Sequence, residues 1–379
     1  MKQYRAPFFE KLDKHLRSDD IRLTVAYSGP TAAESQKKDT CELPMEYGLK
    51  VKGFWLWPER LLYQPLLRMA LRSDLVIVEQ ANRNLLNHIL VPLSRLGLRR
   101  VAFWGHGTNC QPEQIPLSEW YRRKMLNWAS WWFAYTRGTG RYLESQGVPA
   151  SKITAVQNSV DTQEIWEHVR RLTERGRTTL RAKLDIPATA SVGIFCGMLD
   201  KTKELPFLIE SSGIIKSRIS DYHLIMVGGG PEQEGLQRLT EGKDWVHWVG
   251  PRFGKEKAEL LAISDAFLLP GRVGLAILDA FAAGLPMVTT RFKFHAPEIE
   301  YLEDGVNGLM TDHEVGTYAD GVSSLLVTKD SLAELQAGAR SSAEMYSIEN
   351  MVDNFGSGVR SCLGLGVRKR EAPEFQEAI

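Results

Sequence analysis

Cysteine is scarce: the 379 residues hold four, at positions 41, 110, 196 and 362. They are scattered without metal-ligand spacing, so free thiols in a reducing compartment are expected rather than a disulfide-stapled scaffold. Long apolar runs are absent too. No stretch approaches a transmembrane helix, and the start MKQYRAPFFEKLDKHL lacks the apolar segment of a signal peptide, so the chain reads as cytoplasmic. No zinc-finger spacing, RNP motif or basic stripe occurs, and no nucleic-acid partner is expected. No Asp-x-Asp triplet occurs anywhere. This argues against a metal-bridged diphosphate, and no metal is expected. Internal repeats and low-complexity tracts are missing, apart from a polar tail after Val367 that reads as disordered.

Net charge is small as well, +1 overall, but unevenly placed. Residues 1–165 carry 23 Lys+Arg against 16 Asp+Glu, and the remainder 24 against 30. Either the first half meets an anionic partner, such as a membrane surface or a lipid diphosphate, or the asymmetry is chance surface composition.

The apolar fraction is 43%, enough at this length for two α/β cores. The most informative stretch runs from Phe267 to Thr290, FLLPGRVGLAILDAFAAGLPMVTT. A short apolar strand ends in Pro270-Gly271, and a helix opens at Val273-Gly274-Leu275 with Leu275, Leu278 and Ala282 at helical spacing. Gly284-Leu285-Pro286 stops that helix, and Met287–Thr290 reads as the next strand. The unit is βαβ. A glycine turn at a helix N-terminus presents backbone N–H groups and the positive end of the helix dipole, which suits a phosphate. Asp279 follows Leu275 by one helical turn, placing a carboxylate where a sugar hydroxyl beside that phosphate can donate to it. Most such turns in α/β proteins only pack, so other stretches must weigh in.

In chain order, residues 3–16 are amphipathic at helical spacing, with Phe8, Phe9, Leu12 and Leu16 inward. A strand follows at 21–27, so the domain begins at a helix where a Rossmann domain begins with a strand. Residues 31–60 are polar, with strand character only at 49–54. A helix is expected at 61–72, a strand at 75–79, a helix at 82–96 and a strand at 101–104. This alternation predicts a parallel α/β sheet. His106 lies between two glycines at the carboxyl end of the last of these strands, where such sheets place ligands. Residues 118–135, SEWYRRKMLNWASWWFAY, read as a tryptophan-rich helix that suits either a membrane interface or a packed core, the core being the commoner case. A charged helix over 163–184 leads to a second domain with strands at 191–197, 223–227 and 245–250 and a final helix at 348–363.

Several of these segments, in this order, resemble the retaining nucleotide-sugar glycosyltransferases of family four, built as two Rossmann-like domains facing across a cleft in the GT-B arrangement. The matching segments are Asn158-Ser159-Val160-Asp161, Gly197-Met198-Leu199 with Lys203, Val227-Gly228-Gly229-Gly230-Pro231-Glu232, the turn Gly271–Asp279, Pro297-Glu298, and Asp304-Gly305-Val306-Asn307-Gly308. The resemblance implies domains at 1–164 and 165–345, with 346–379 crossing back to the first, and a first domain lacking its usual opening strand. It implies a nucleoside-diphosphate sugar as donor, a glycan or lipid-linked acceptor, peripheral contact with an anionic membrane and no cofactor. Gly197, Lys203, Gly271, Val273, Gly274, Leu275 and Asp279 then bind the donor, Arg252 and Phe253 contact its base, and His106 contacts its sugar as the catalytic candidate. Two departures stand out. Met198 occupies the place of the family's phosphate-binding Arg, and Gly271 that of its first acid, while the second acid is shortened to Asp279. The reading that follows is a hexosyltransferase working with retention, in surface polysaccharide or lipid-linked glycan synthesis, with the leaving phosphate taking the acceptor's proton. The alternatives are a nucleotide-sugar-binding protein without transferase activity and a sugar-nucleotide epimerase, against which the missing acid at Gly271 speaks.

Overall fold

The computed structural model describes residues 1–30, 39–56, 61–107 and 123–365. The chain divides into two compact units, Met1–Gln157 with Glu349–Ile379, and Asn158–Ile348. The first boundary thus falls at Gln157/Asn158, just before the segment 158–161 and seven residues ahead of the 164/165 expected, and residues from Glu349 onward belong to the first unit. The polar tail after Val367 lies outside the described residues.

The first unit opens with α1 (Ala6–Arg17), which buries Phe8, Leu12 and Leu16 at a four-residue period. β1 (Val25–Tyr27) and β2 (Gly48–Lys50) pair in parallel as a separate two-stranded sheet. β3 (Phe54–Leu56) and β4 (Leu61–Tyr63) form an antiparallel pair. The helix expected at 61–72 is therefore corrected: its start is strand, and only Leu67–Ala70 is helical. Aromatic pairing across the ladder, with the Phe54 and Tyr63 rings 6.2 Å apart, outweighs the leucine periodicity that suggested a helix. The main sheet is β5 (Val76–Glu79), β6 (Val101–Gly105), β7 (Trp131–Ala134) and β8 (Ile153–Ala155), all parallel and in sequential order. Helices α2 (Asn87–Arg95) and α3 (Arg137–Ser145) connect them, the latter capped by Thr136 accepting from the Thr139 amide.

β7 overturns the tryptophan-rich helix. Residues 118–122 lie outside the described residues, but Trp131-Trp132-Phe133-Ala134 is a central strand rather than helix. Trp132 is fully buried and its indole N–H donates to the Leu126 carbonyl at 2.9 Å, while Trp131 donates to Thr154 Oγ1 across the sheet. A run of large aromatics without intervening charge packs on both faces of a buried strand, which is the pattern a parallel sheet selects. Trp131 and Trp132 thus spend their indole N–H groups inside the first unit, which agrees with the core reading of this stretch for these two residues.

The second unit starts with two helices where one was expected, α4 (Gln163–Arg171) and α5 (Glu174–Ala182), broken where Thr173 caps the second by accepting from the Gly176 amide. Then come β9 (Ser191–Cys196), α6 (Leu205–Arg218), β10 (Tyr222–Val227), α7 (Gln233–Leu239), β11 (Val246–Gly250), α8 (Gly254–Ala262), β12 (Ala266–Leu268), α9 (Ala276–Ala282), β13 (Met287–Thr290) and β14 (Gly308–Thr311). α10 (Val315–Val327) and α11 (Lys329–Met345) close it. The six strands are parallel in the order β11-β10-β9-β12-β13-β14. After β9 the chain winds outward to β11, then jumps back to lay β12 on the other side of β9. The carboxyl ends of β9 and β12 therefore flank the switch point, where a doubly wound sheet leaves room for a ligand. The returning helix α12 (Ile348–Leu363) serves the first unit: Phe355 stacks on Phe133 at 4.2 Å and meets Trp104 and Phe8 edge-on. Among the described residues no helix is long and apolar enough to cross a membrane.

Candidate functional site

Both loops at the switch point are built from glycine and stitched together. β9 is followed by Gly197, whose amide donates to the Val227 carbonyl. A Cβ on Gly228, which sits at φ +142°, would lie 1.8 Å from the Gly197 carbonyl oxygen, and one on Gly230 would lie 2.4 Å from that of Leu199. Only glycine allows this approach, which explains the Gly-Gly-Gly run before Pro231 without any dinucleotide fingerprint.

Beyond Leu199, Asp200 caps a short turn over Lys201–Lys203 by accepting from the Thr202 amide. Glu204 then takes a left-handed backbone, φ +54°, and launches α6. Across the switch point, the Arg272 amide donates to the Thr202 carbonyl at 2.8 Å and the Lys203 ammonium donates to the Arg272 carbonyl at 2.7 Å. Burial depresses the Lys203 pKa, and the nearby Arg272 pushes the same way against Asp200. Of its three protons one is spent on Arg272, leaving two for a further acceptor.

Gly271 is fixed by the same contact. A Cβ there would sit 2.5 Å from the Thr202 carbonyl oxygen and from the Lys203 carbonyl carbon. The close packing of the two loops thus requires glycine at this position.

The turn itself is held from beneath. Thr290 Oγ1 donates to the Pro270 carbonyl at 2.7 Å and is 2.8 Å from His313 Nδ1. His295 Nδ1 accepts from the Val273 amide at 3.0 Å, so Nε2 carries the proton and donates to the Thr290 carbonyl at 2.9 Å. Burial lowers the His295 pKa, with Lys203 and Arg272 also disfavouring its charge, and the ring stays the neutral acceptor this geometry needs. Val273 is fully buried and its amide is taken. Among the described residues the amides of Gly274 and Leu275 donate to no backbone carbonyl, and both are donors the turn has to offer.

Asp279 lies on α9 and its Oδ2 accepts from Lys257 of α8 at 3.1 Å. Burial acts to lower the Lys257 pKa, but Asp279 and the neighbouring Cys196 and Glu164 outweigh it and the pKa ends raised. Cys196, at the end of β9, is pushed up to about 12 by burial, with Asp279 adding to the effect, and is therefore an inert thiol.

The structure thus brings together Gly197, Lys203, Gly271, Val273, Gly274, Leu275 and Asp279. Arg252 and Phe253 stand apart, on the loop after the edge strand β11 with β10 between them and the switch point; Arg252 pairs with Glu256 at 3.6 Å and Phe253 is 79% exposed. His106 belongs to the first unit. It follows β6, exposed, its ring 4.3 Å from that of Tyr135, on a loop that Gln80 holds by accepting from the Gly107 amide at 2.9 Å. Sequence reasoning missed Lys257, Gln80 and the bracing role of His295. Lys257 sits mid-helix among other charges, and nothing in its spacing marks it.

A cavity of about 660 Å³ in the second unit is elsewhere, at the amino ends of the strands between α5 and α11. Its arginines are largely engaged: Arg181 donates to the carbonyls of Ile263, Ala188 and Ala190 and pairs with Asp265. It is structural space behind the sheet rather than the switch-point site.

The architecture defines a class of protein: an α/β chain of two Rossmann-like units, with the fold of GT-B glycosyltransferases. Its likeness to Anabaena Alr3699/HepE, solved in complex with UDP, has a TM-score of 0.69 at 17% identity and covers 94% of this chain and 96% of that one. More specifically, residues 190–328, the body of the second unit, match the family model described as Glycosyl transferases group 1. Curated relatives include a D-inositol 3-phosphate glycosyltransferase of Corynebacterium urealyticum, 29% identical over 47% of this chain and 45% of its own length. A GDP-mannose-dependent α-(1-6)-phosphatidylinositol monomannoside mannosyltransferase of Mycobacterium tuberculosis is 26% identical over 66% of this chain and 67% of its own. The chain thus matches about half of the first relative's length and two thirds of the second's. The matched family and both relatives are glycosyltransferases.

Proposed function

We propose that the chain is a glycosyltransferase that moves a sugar from a nucleoside-diphosphate donor to an acceptor hydroxyl with retention. The observation that carries this is the stitched switch point, where Lys203 and the Gly274 and Leu275 amides converge at the start of α9. Two cationic protons and two amide donors at a helix N-terminus oppose the charge that grows on a leaving diphosphate, the place where fixed dipoles contribute most. They stand preformed through His295, Thr290 and Gly271, so little reorganisation accompanies the reaction. No metal has a role in this reading, and the departing phosphate receives the acceptor's proton. In this reading His106 is the catalytic candidate carried by the first unit, and Arg252 and Phe253 lie on the path to the base. Since one relative acts on inositol phosphate and another on a phosphatidylinositol mannoside, by their names, a polyol or lipid-linked glycan is the acceptor class to try first, with membrane contact through the basic first unit.

Thermal-shift titration with UDP, GDP and ADP tests the site. One of the three stabilises the chain, and Lys203→Ala reduces that nucleotide's affinity tenfold or more, on the order of what a lost charged hydrogen bond costs. Equal affinity in the variant sinks the site assignment. Gly271 favours a second reading, a nucleotide-sugar-binding protein without transferase activity; turnover of radiolabelled donor, even by hydrolysis, removes it.

A further inference from the structure

Resting on the donor-site reading above, we propose that Lys257 is a positioning residue that aims the Asp279 carboxylate at the donor's ribose and so makes the site selective for ribonucleotides. An Asp is one methylene shorter than the Glu its place on α9 resembles, and a short carboxylate on a helix face has little reach of its own. Here α8 supplies what is missing. Lys257 Nζ lies 3.1 Å from Asp279 Oδ2, with only 23% and 21% of the two side chains exposed. Oδ1 carries no hydrogen bond among the described residues and remains to accept. A half-buried ion pair of this kind fixes one carboxylate rotamer, whereas an unpaired Asp279 would turn toward water.

Three groups face the Lys257 ammonium: Asp279 from α9, Glu164 from α4 and the Cys196 thiol from β9. Since the thiol is neutral, the cation stands between two carboxylates, of which only Asp279 accepts from it within hydrogen-bond distance. Glu164 is itself held close to the α8 N-terminus, where a Cβ on Gly254 would lie 3.0 Å from its Oε1. The cation thus stands between Glu164 and Asp279 and donates to Asp279 Oδ2, leaving Oδ1 of that carboxylate to accept. A residue that merely stabilised α8 against α9 would have no bearing on which sugar is accepted.

The test is calorimetric binding of UDP, GDP and ADP against their 2′-deoxy and 3′-deoxy forms, using the full chain, Lys257→Met, Lys257→Arg, Asp279→Asn and the Met/Asn double variant. The wild type prefers a ribo form by about tenfold or more, the effect of one hydrogen bond to a charged acceptor. Asp279→Asn and Lys257→Met each abolish that ratio, the double variant loses nothing further, and Lys257→Arg retains most of it. If Lys257→Met weakens ribo and deoxy forms equally while Asp279→Asn loses the ratio, Lys257 is structural and the proposal is overturned. A ratio unchanged in Asp279→Asn, or absent in the wild type, overturns it too. Binding of no nucleotide by the wild type overturns the donor reading together with it, and that result is distinct from the others.

Discussion

Gly271 shows how a single residue's chemistry is decided by what packs on it. From the family pattern, an acid is missing and restoring it by Gly271→Glu looks like a repair. In the structure the same position is where the backbones of Thr202 and Lys203 pass within 2.5 Å of a Cβ. The substitution therefore forces the two loops apart, breaking the Lys203–Arg272 bond before any carboxylate reaches a sugar. Gly271→Glu is expected to lower the melting temperature and to remove the nucleotide-induced shift, as Lys203→Ala does. A variant with wild-type stability and a larger shift would mean that the loops can part freely. Lys203 was legible in the sequence only through its register with Gly197 and Leu199. Its partner, a backbone carbonyl 69 residues away, was not.

At the scale of elements, the second sheet carries a pH-dependent device of stability at the end opposite the donor turn. His223 of β10 and His247 of β11 meet Nδ1 to Nε2 at 2.9 Å, their rings stacked 5.1 Å apart. Burial lowers both pKa values, His247 to about 4 with the neighbouring His223 contributing, and the hydrogen bond requires at least one ring nitrogen without a proton. The sign follows: the folded pKa values lie below the ordinary histidine value, so the unfolded chain takes up protons first as pH falls. Stability is unaffected well above pH 6.5 and is lost progressively from there toward pH 4. The drop in melting temperature between pH 7 and pH 5 is expected to be smaller in His247→Gln than in the wild type. Identical drops would mean that the pair is not linked to unfolding. The elements themselves were mostly legible where apolar period and glycine punctuation agreed, as at β9, β13 and α12. They were misread where aromatics or leucines made two periods plausible. Residues 131–134 and 61–63 are strands because a neighbouring strand offers them a ladder, which a local pattern does not contain.

Across the whole chain, the first unit depends on residues that return to it from beyond the entire second unit, Glu349 onward. Phe133, Trp104 and Phe8 surround Phe355, and Met351, Val352 and Val359 are buried with it. Ending the chain at Ser347 removes these side chains, and each large core truncation costs roughly 2–5 kcal/mol, enough together to exceed the stability of an ordinary domain. Limited proteolysis of that truncated chain should degrade the first unit and leave a resistant fragment beginning near Asn158, whose core has its own six-stranded sheet. Equal resistance of both parts would show that α12 is dispensable. Asn158 and Glu298, 2.5 Å apart and both buried, tie the start of that fragment to its own core.

The sequence by itself determined the α/β class, the βαβ unit at 267–290 and the glycine turn that opens α9, because alternation, capping residues and glycine conformational freedom are local properties. It also placed the donor candidates in order along the chain. Only the tertiary structure decided that Lys203 belongs to the Arg272 carbonyl, that His295 takes the Val273 amide and leaves Gly274 and Leu275 to donate, that Lys257 holds Asp279, and that the tryptophans form a strand. Each of these is a pairing between residues separated in the chain, set in the second unit by the jump from β11 back to β12 beside β9 and in the first by the ladders of β7 with β6 and β8, and hydrogen bonds and ion pairs act over distances in space to which sequence separation is blind.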